Sequence, residues 1–125
     1  MRSVLIVDDN QQLRAMIRLQ FESSDWEVHE APDAWCANEM VATATQPFTA
    51  ILVDVHMPGP SGIDLMKIMR RADVNKDSVI ACITGNASNE EESVLLGLKP
   101  DLIYRKPFNP EDLLDEIMRL VSCEK

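Results

Sequence analysis

Short apolar runs recur along the chain, each separated from the next by a segment long enough for one helix. Runs at 3–8, 26–30, 50–54, 78–84 and 101–105 read as strands, and segments at 10–22, 33–43, 61–71, 87–98 and 110–122 read as helices. Five such β-α pairs predict an α/β fold, a parallel sheet with helices on both faces, because a parallel connection needs a crossover and each helix must bury its apolar stripe. Val4-Leu5-Ile6-Val7 and Ile51-Leu52-Val53 are continuous rather than alternating, as strands covered on both sides should be.

The helical segments carry the matching signals. Leu13, Met16, Ile17 and Phe21 repeat at helical spacing, as do Ile63, Met66 and Met69, and Leu113, Ile117, Leu120 and Val121. These stripes read as core, with the methionines filling gaps. Asn109 before Pro110, Glu111 and Asp112 supplies an N-cap, a proline at the first helical position and acids in the first turn, and Ser61 stands three residues before Asp64. The stretches 43–47 and 73–77 read as connecting loops, and the sequence contains no internal repeat, low-complexity tract or long linker.

Two of the strands end in acid. The first runs into Asp8-Asp9, and the third delivers Asp54 to a Pro/Gly-rich loop, Val55-His56-Met57-Pro58-Gly59-Pro60-Ser61-Gly62. Neighbouring strands lie about 4.8 Å apart, so parallel pairing of these two would bring Asp8, Asp9 and Asp54 to one place. Three carboxylates that close repel one another, and a hard divalent cation relieves them; Mg²⁺, which keeps several waters and needs few protein oxygens, fits best, with Mn²⁺ as a substitute. Taken alone, Asp8-Asp9 reads equally well as an acidic cap on a helix N-terminus.

Composition narrows the class. At 125 residues, 46% hydrophobic and 26% charged, the chain fits one globular domain, either a protein that stands alone or a portion of a longer one. No apolar run approaches the ~20 residues of a membrane span, and Met1-Arg2-Ser3 leads straight into a strand without a signal peptide, so a cytoplasmic protein is expected. Cys36, Cys82 and Cys123 lack metal or redox spacing and read as thiols in a reducing compartment, Cys82 within the core. A net charge of −9 argues against direct binding to nucleic acid or an anionic membrane and favours a basic partner or a metal ion.

Val4-Leu5-Ile6-Val7-Asp8-Asp9-Asn10, Asp54-Val55-His56-Met57-Pro58 with Gly62, Ile83-Thr84-Gly85, and Arg105-Lys106-Pro107-Phe108 occur together, in this order, across almost the whole length. In this the chain resembles the receiver domain of bacterial-type two-component response regulators. The resemblance implies a flavodoxin-like, doubly wound (βα)₅ three-layer sandwich with strand order 2-1-3-4-5, in which the first and third strands are adjacent. It implies that Asp54 accepts a phosphoryl group from a phosphohistidine of a sensor histidine kinase or a histidine phosphotransfer protein. Asp9, Asp54 and the backbone carbonyl of His56 would bind Mg²⁺, Asp8 mainly through water. Lys106, aimed by a cis Lys-Pro step, would bridge Asp54 and the phosphoryl oxygens, and the Thr84 hydroxyl would swing in to donate to one of them. The side chains of His56 and Asn86 would tune the rate of phosphoryl loss. Without the resemblance, Thr84 is an ordinary β-branched strand residue, Lys106 a solvated lysine, and His29 a solvated residue on an edge strand.

Some positions depart from the family pattern. The aromatic expected three residues before the lysine is Ile103 here, and the ring is on Tyr104, which strand alternation turns to the opposite face. Lys99-Pro100 replaces a small turn, and Ala34 replaces a glycine beside Trp35, which is either exposed or partly buried against a neighbouring helix. These changes fall away from the acids but touch the surface of the fourth helix, fifth strand and fifth helix, through which relatives signal, so the downstream protein target is not carried over. The expected function is a phosphoacceptor that shifts between two states rather than a turnover enzyme. The alternatives are a receiver-like docking module that is not phosphorylated, and a Mg²⁺-dependent phosphatase with an aspartyl-phosphate intermediate; such phosphatases usually carry a second Asp where this chain has His56.

Overall fold

Continuous apolar strands with helices between them settle into one parallel sheet. The computed structural model describes residues 2–55, 78–85, 97 and 100–123. Strands β1 (Ser3–Val7), β2 (Glu27–Ala31), β3 (Ala50–Asp54), β4 (Val79–Thr84) and β5 (Leu102–Arg105) pair in the order β2-β1-β3-β4-β5, every pair parallel. This is the flavodoxin-like order. Helices α1 (Gln11–Ser23), α2 (Ala34–Thr43) and α3 (Pro110–Cys123) match the first, second and last predicted helices to within a residue. The predicted helices at 61–71 and 87–98 fall outside the described residues, Gly97 excepted, and so do the gap-filling roles of Met66 and Met69.

Alternation along the strands divides the core into two layers. Leu5, Val7, Ile51, Val53, Ile80 and Cys82 face one side, where α2 covers them with Ala34, Ala37 and Val41. Val4, Ile6, Leu52, Ala81 and Ile83 face the other, under Ile17 and Phe21 of α1 and Leu113, Leu114, Ile117 and Val121 of α3. Helices on both faces explain why β1, β3 and β4 are apolar apart from a terminal Ser3, Asp54 and Thr84. Among the described residues, no helix is long and apolar enough to cross a membrane.

The helix starts are capped. Asn10 Oδ1 accepts from the Leu13 amide at 3.1 Å, Asp33 Oδ1 from the Cys36 amide at 2.8 Å, and Asn109 Oδ1 from the Glu111 amide at 2.9 Å. Each satisfies an amide that the first turn leaves without an intrahelical acceptor.

Three side chains differ from expectation or settle an open choice. Met16 is 54% exposed rather than core, because it lies about 100° around α1 from Ile17 and α1 buries only the narrow stripe of Leu13, Ile17 and Phe21. Trp35 is 65% exposed at the start of α2, which leaves it unpacked. His29 does lie on the edge strand, but it is half-buried: its ring sits edge-on to Phe48 with centroids 5.4 Å apart, and Nε2 is 3.2 Å from Glu27 Oε2.

Candidate functional site

The crossover from β2 over β1 to β3 makes the gap between β1 and β3 a topological switch point, where open α/β sheets bind their ligands beyond the strands' carboxyl ends. Val7 pairs with Val53 and Asp54 with Ile83, so the residues that end each strand lie in a row. Asp8 follows β1, Asp54 closes β3, Thr84 closes β4 and Lys106 follows β5.

These residues converge. One oxygen from each of Asp8, Asp9 and Asp54 lies within 4.8 Å of the other two. Asp8 and Asp54 are only 1% and 2% exposed, while Asp9 is open to solvent. Lys106 Nζ stands 3.4 Å from Asp8 Oδ2 and 3.4 Å from Asp54 Oδ2, between the two buried acids. Its backbone is set by a hydrogen bond that the Lys106 amide donates to the Thr84 carbonyl at 2.8 Å, and the Lys106-Pro107 peptide is cis. Asp8 is held by the Asn10 amide, which donates to Oδ1 at 2.8 Å, leaving Oδ2 without a hydrogen bond among the described residues despite the nearby ammonium.

A buried carboxylate with an unsatisfied oxygen is costly unless something is meant to complete it. Lys106 alone does not balance three acids, and their oxygens are of the kind that hard divalent cations take. The donor set therefore fits Mg²⁺ at Asp8, Asp9 and Asp54. Thr84 makes the same point from the neighbouring strand. The residue is 2% exposed and its Oγ1 has no hydrogen-bond partner among the described residues. A hydroxyl in that condition is a donor awaiting an acceptor.

Residues 4–118 match the family profile of the response regulator receiver domain. The chain belongs to the response regulator receiver family. This receiver domain is 32% identical over 115 residues to the phosphate regulon transcriptional regulatory protein PhoB of Pseudomonas aeruginosa, a match spanning 90% of this chain and 48% of that one. The chain thus spans about half the length of PhoB. It is 28% identical to sporulation initiation phosphotransferase F of Bacillus subtilis over 97% of this chain and 94% of the other. Among solved structures, chemotaxis protein CheY4 of Vibrio cholerae superposes with a TM-score of 0.85 at 31% identity, covering 95% of this chain and 98% of CheY4.

Asp8, Asp9, Asp54 and Lys106 are thus brought together, and Thr84 ends the strand beside Asp54, whereas His56 and Asn86 lie outside the described residues. Ile103 packs toward the α2 layer and Tyr104 toward the opposite one, so the ring does not stand in for the missing aromatic. Tyr104 stacks edge-on with Phe108 at 5.7 Å. Burial, the Glu116 carboxylate that its hydroxyl engages, and the charges of Asp112 and Asp115 push that hydroxyl's pKa up.

Sequence reasoning passed over one set of residues beside the site. Glu30 on β2 binds both Arg14 and Arg18 of α1, and Arg18 also pairs with Glu22 at 3.1 Å. Two arginines four residues apart repel on an isolated helix, a spacing that signals an acid supplied from elsewhere. Burial pushes the Glu30 carboxyl up, but hydrogen bonds and charge from Arg18 and Arg14 outweigh it and hold the pKa below the ordinary 4.5. A carboxyl depressed in the folded state adds stability above its unfolded pKa and loses it as pH falls through the folded value. Urea unfolding of wild type and Glu30→Gln should therefore differ by a constant amount near neutral pH. The gap should close in acid, below the ordinary 4.5.

Proposed function

We propose that Asp54 is the phosphoacceptor of a two-component phosphorelay and that residues 1–125 act as a single receiver domain. An Asp54 oxygen attacks the phosphorus of a phosphohistidine on a sensor kinase or a phosphotransfer protein. The P–N bond breaks, its electron pair returns to the ring nitrogen, and an acyl phosphate remains on Asp54. The observation that carries this reading is the position of Lys106, 3.4 Å from two nearly buried carboxylates at the ligand-binding end of the sheet.

Asp9, Asp54 and the His56 carbonyl would hold Mg²⁺, or Mn²⁺, with Asp8 acting through water. When bound, the ion offsets the negative charge that the transferring phosphoryl brings. Lys106 keeps the attacking carboxylate in place and then pairs with the phosphoryl oxygens. The Thr84 hydroxyl donates to one of those oxygens, which satisfies its Oγ1. Movement of Thr84 and Lys106 biases a two-state surface formed by the fourth predicted helix, β5 and α3, and so changes affinity for a downstream protein. The chain is a phosphoprotein in this scheme and not a turnover enzyme.

Incubation with Mg²⁺ and acetyl phosphate, followed by intact-mass measurement, tests the reading. Wild type should gain one phosphoryl group, and neither Asp54→Asn nor chelated wild type should gain any. Sustained release of inorganic phosphate over many turnovers would favour a phosphatase. Absence of any adduct would leave an unphosphorylated docking module.

A further inference from the structure

The backbone carbonyl of Asp8 is buried where the β1–β2 ladder runs out. The Asp8 amide still donates to the Ala31 carbonyl at 3.2 Å, but β2 ends at Ala31 and the chain turns into α2 at its N-cap, Asp33. A buried carbonyl needs a donor. Arg14 supplies it, with Nη1 donating to Asp8 O at 2.6 Å.

The same guanidinium is secured from behind. Its Nε donates to Glu30 Oε1 at 3.0 Å, and the other Glu30 oxygen accepts from Arg18. The Arg14 side chain is only 13% exposed, so this is a fixed strut rather than a surface ion pair. Glu30 and Glu22 offset the charges of Arg14 and Arg18, so the strut adds no net charge beside the acids. From the other direction the Asn10 amide grips Asp8 Oδ1 at 2.8 Å. The start of α1 thus holds the Asp8 side chain through Asn10 and the Asp8 backbone through Arg14.

We propose that Arg14 is a positioning residue: through the Asp8 carbonyl it fixes the Asp8-Asp9 turn, and thereby aims both carboxylates at Asp54. The proposal rests on the reading that these acids hold a cation, and it assigns a task to a residue that does not itself touch that cation.

Two readouts test it. Amide hydrogen exchange at Asp9 and Asn10, with the mid-helix Ile17 amide as internal reference, reports the turn without any metal. Mn²⁺ affinity, from the electron paramagnetic resonance of the free ion, reports how well the acids are aimed. In Arg14→Met, exchange at Asn10 should rise about tenfold relative to Ile17, the effect of losing one charge-assisted hydrogen bond. Mn²⁺ affinity should fall roughly tenfold, as when an outer-sphere partner of a metal ligand is lost. Arg14→Lys, which keeps the charge and one donor, should recover part of both, and it serves alone if Arg14→Met does not fold. Arg18→Met disrupts the same ion network without touching Asp8 and should leave both readouts unchanged.

Wild-type exchange at Asn10 in Arg14→Met overturns the proposal, and so does an equal change in Arg18→Met. A wild type that binds no Mn²⁺ overturns the cation reading instead, and the exchange measurement still decides whether Arg14 fixes the turn.

Discussion

Lys106→Met is expected to take up phosphoryl groups from acetyl phosphate about 100-fold more slowly than wild type, the usual loss when one preorganised charge is removed from a reaction that builds negative charge. The ammonium sits 3.4 Å from both buried acids, so nothing else described in the site replaces it. Binding of Mg²⁺ should respond in the opposite sense. The lysine and a divalent ion repel, and with the lysine gone Asp8, Asp9 and Asp54 should bind Mg²⁺ at least as tightly as before. The folded state without metal should lose stability, because two nearly buried carboxylates then lose the ammonium that stands between them, and added Mg²⁺ should restore it. An intact-mass time course beside a metal titration separates these effects. Slow uptake with weakened Mg²⁺ binding would instead mean that Lys106 holds the site's shape rather than the phosphoryl charge.

Phe21→Ala should be among the most destabilising single truncations available in this chain, at about 3–5 kcal/mol. Phe21 is fully buried beneath α1, and its ring meets Trp26 edge to face, with centroids 5.0 Å apart at 87°. It belongs to the layer where α1 and α3 both close on the sheet, so its loss opens a cavity that three elements would have to move to fill. A domain of this size has only about 5–15 kcal/mol in total, and the variant should therefore be close to unfolding at physiological temperature. Urea denaturation followed by Trp26 fluorescence in a Trp35→Phe background measures it, since Trp35 is 65% exposed and would add an insensitive signal. Leu19→Ala, on the same helix as Phe21 but 65% exposed, should change stability by less than about 0.5 kcal/mol.

The contrast between Phe21 and its helix neighbours marks how far the sequence could be read. Strands β1, β3 and β4 were legible because burial on both faces demands uninterrupted apolar residues, and β3 matches its predicted span of 50–54 to the residue. Convergence of Asp8, Asp9 and Asp54 was legible because parallel strands must end side by side. Lys106 was legible only through its place in a family motif, since a lysine after a strand carries no direction of its own. Met16 was misread as core because helical spacing alone does not say how wide a stripe the tertiary structure will cover. Arg14 was passed over for a different reason. Its partner is a backbone carbonyl left over where the β1–β2 ladder ends, and backbone groups look alike in every sequence. Glu30, the anchor behind it, lies on another element, and only the fold brings the two together.

In the proposed scheme one of three crowded acids, Asp54, takes the phosphoryl group while the other two serve it. Borohydride reduces an aspartyl phosphate to homoserine at the modified position alone. Wild type treated with acetyl phosphate and Mg²⁺, reduced in this way and mapped by peptide mass spectrometry, should carry homoserine at residue 54 and aspartate at residues 8 and 9. Homoserine at either of those two positions, or at none of the three, would rule out Asp54 as the phosphoacceptor.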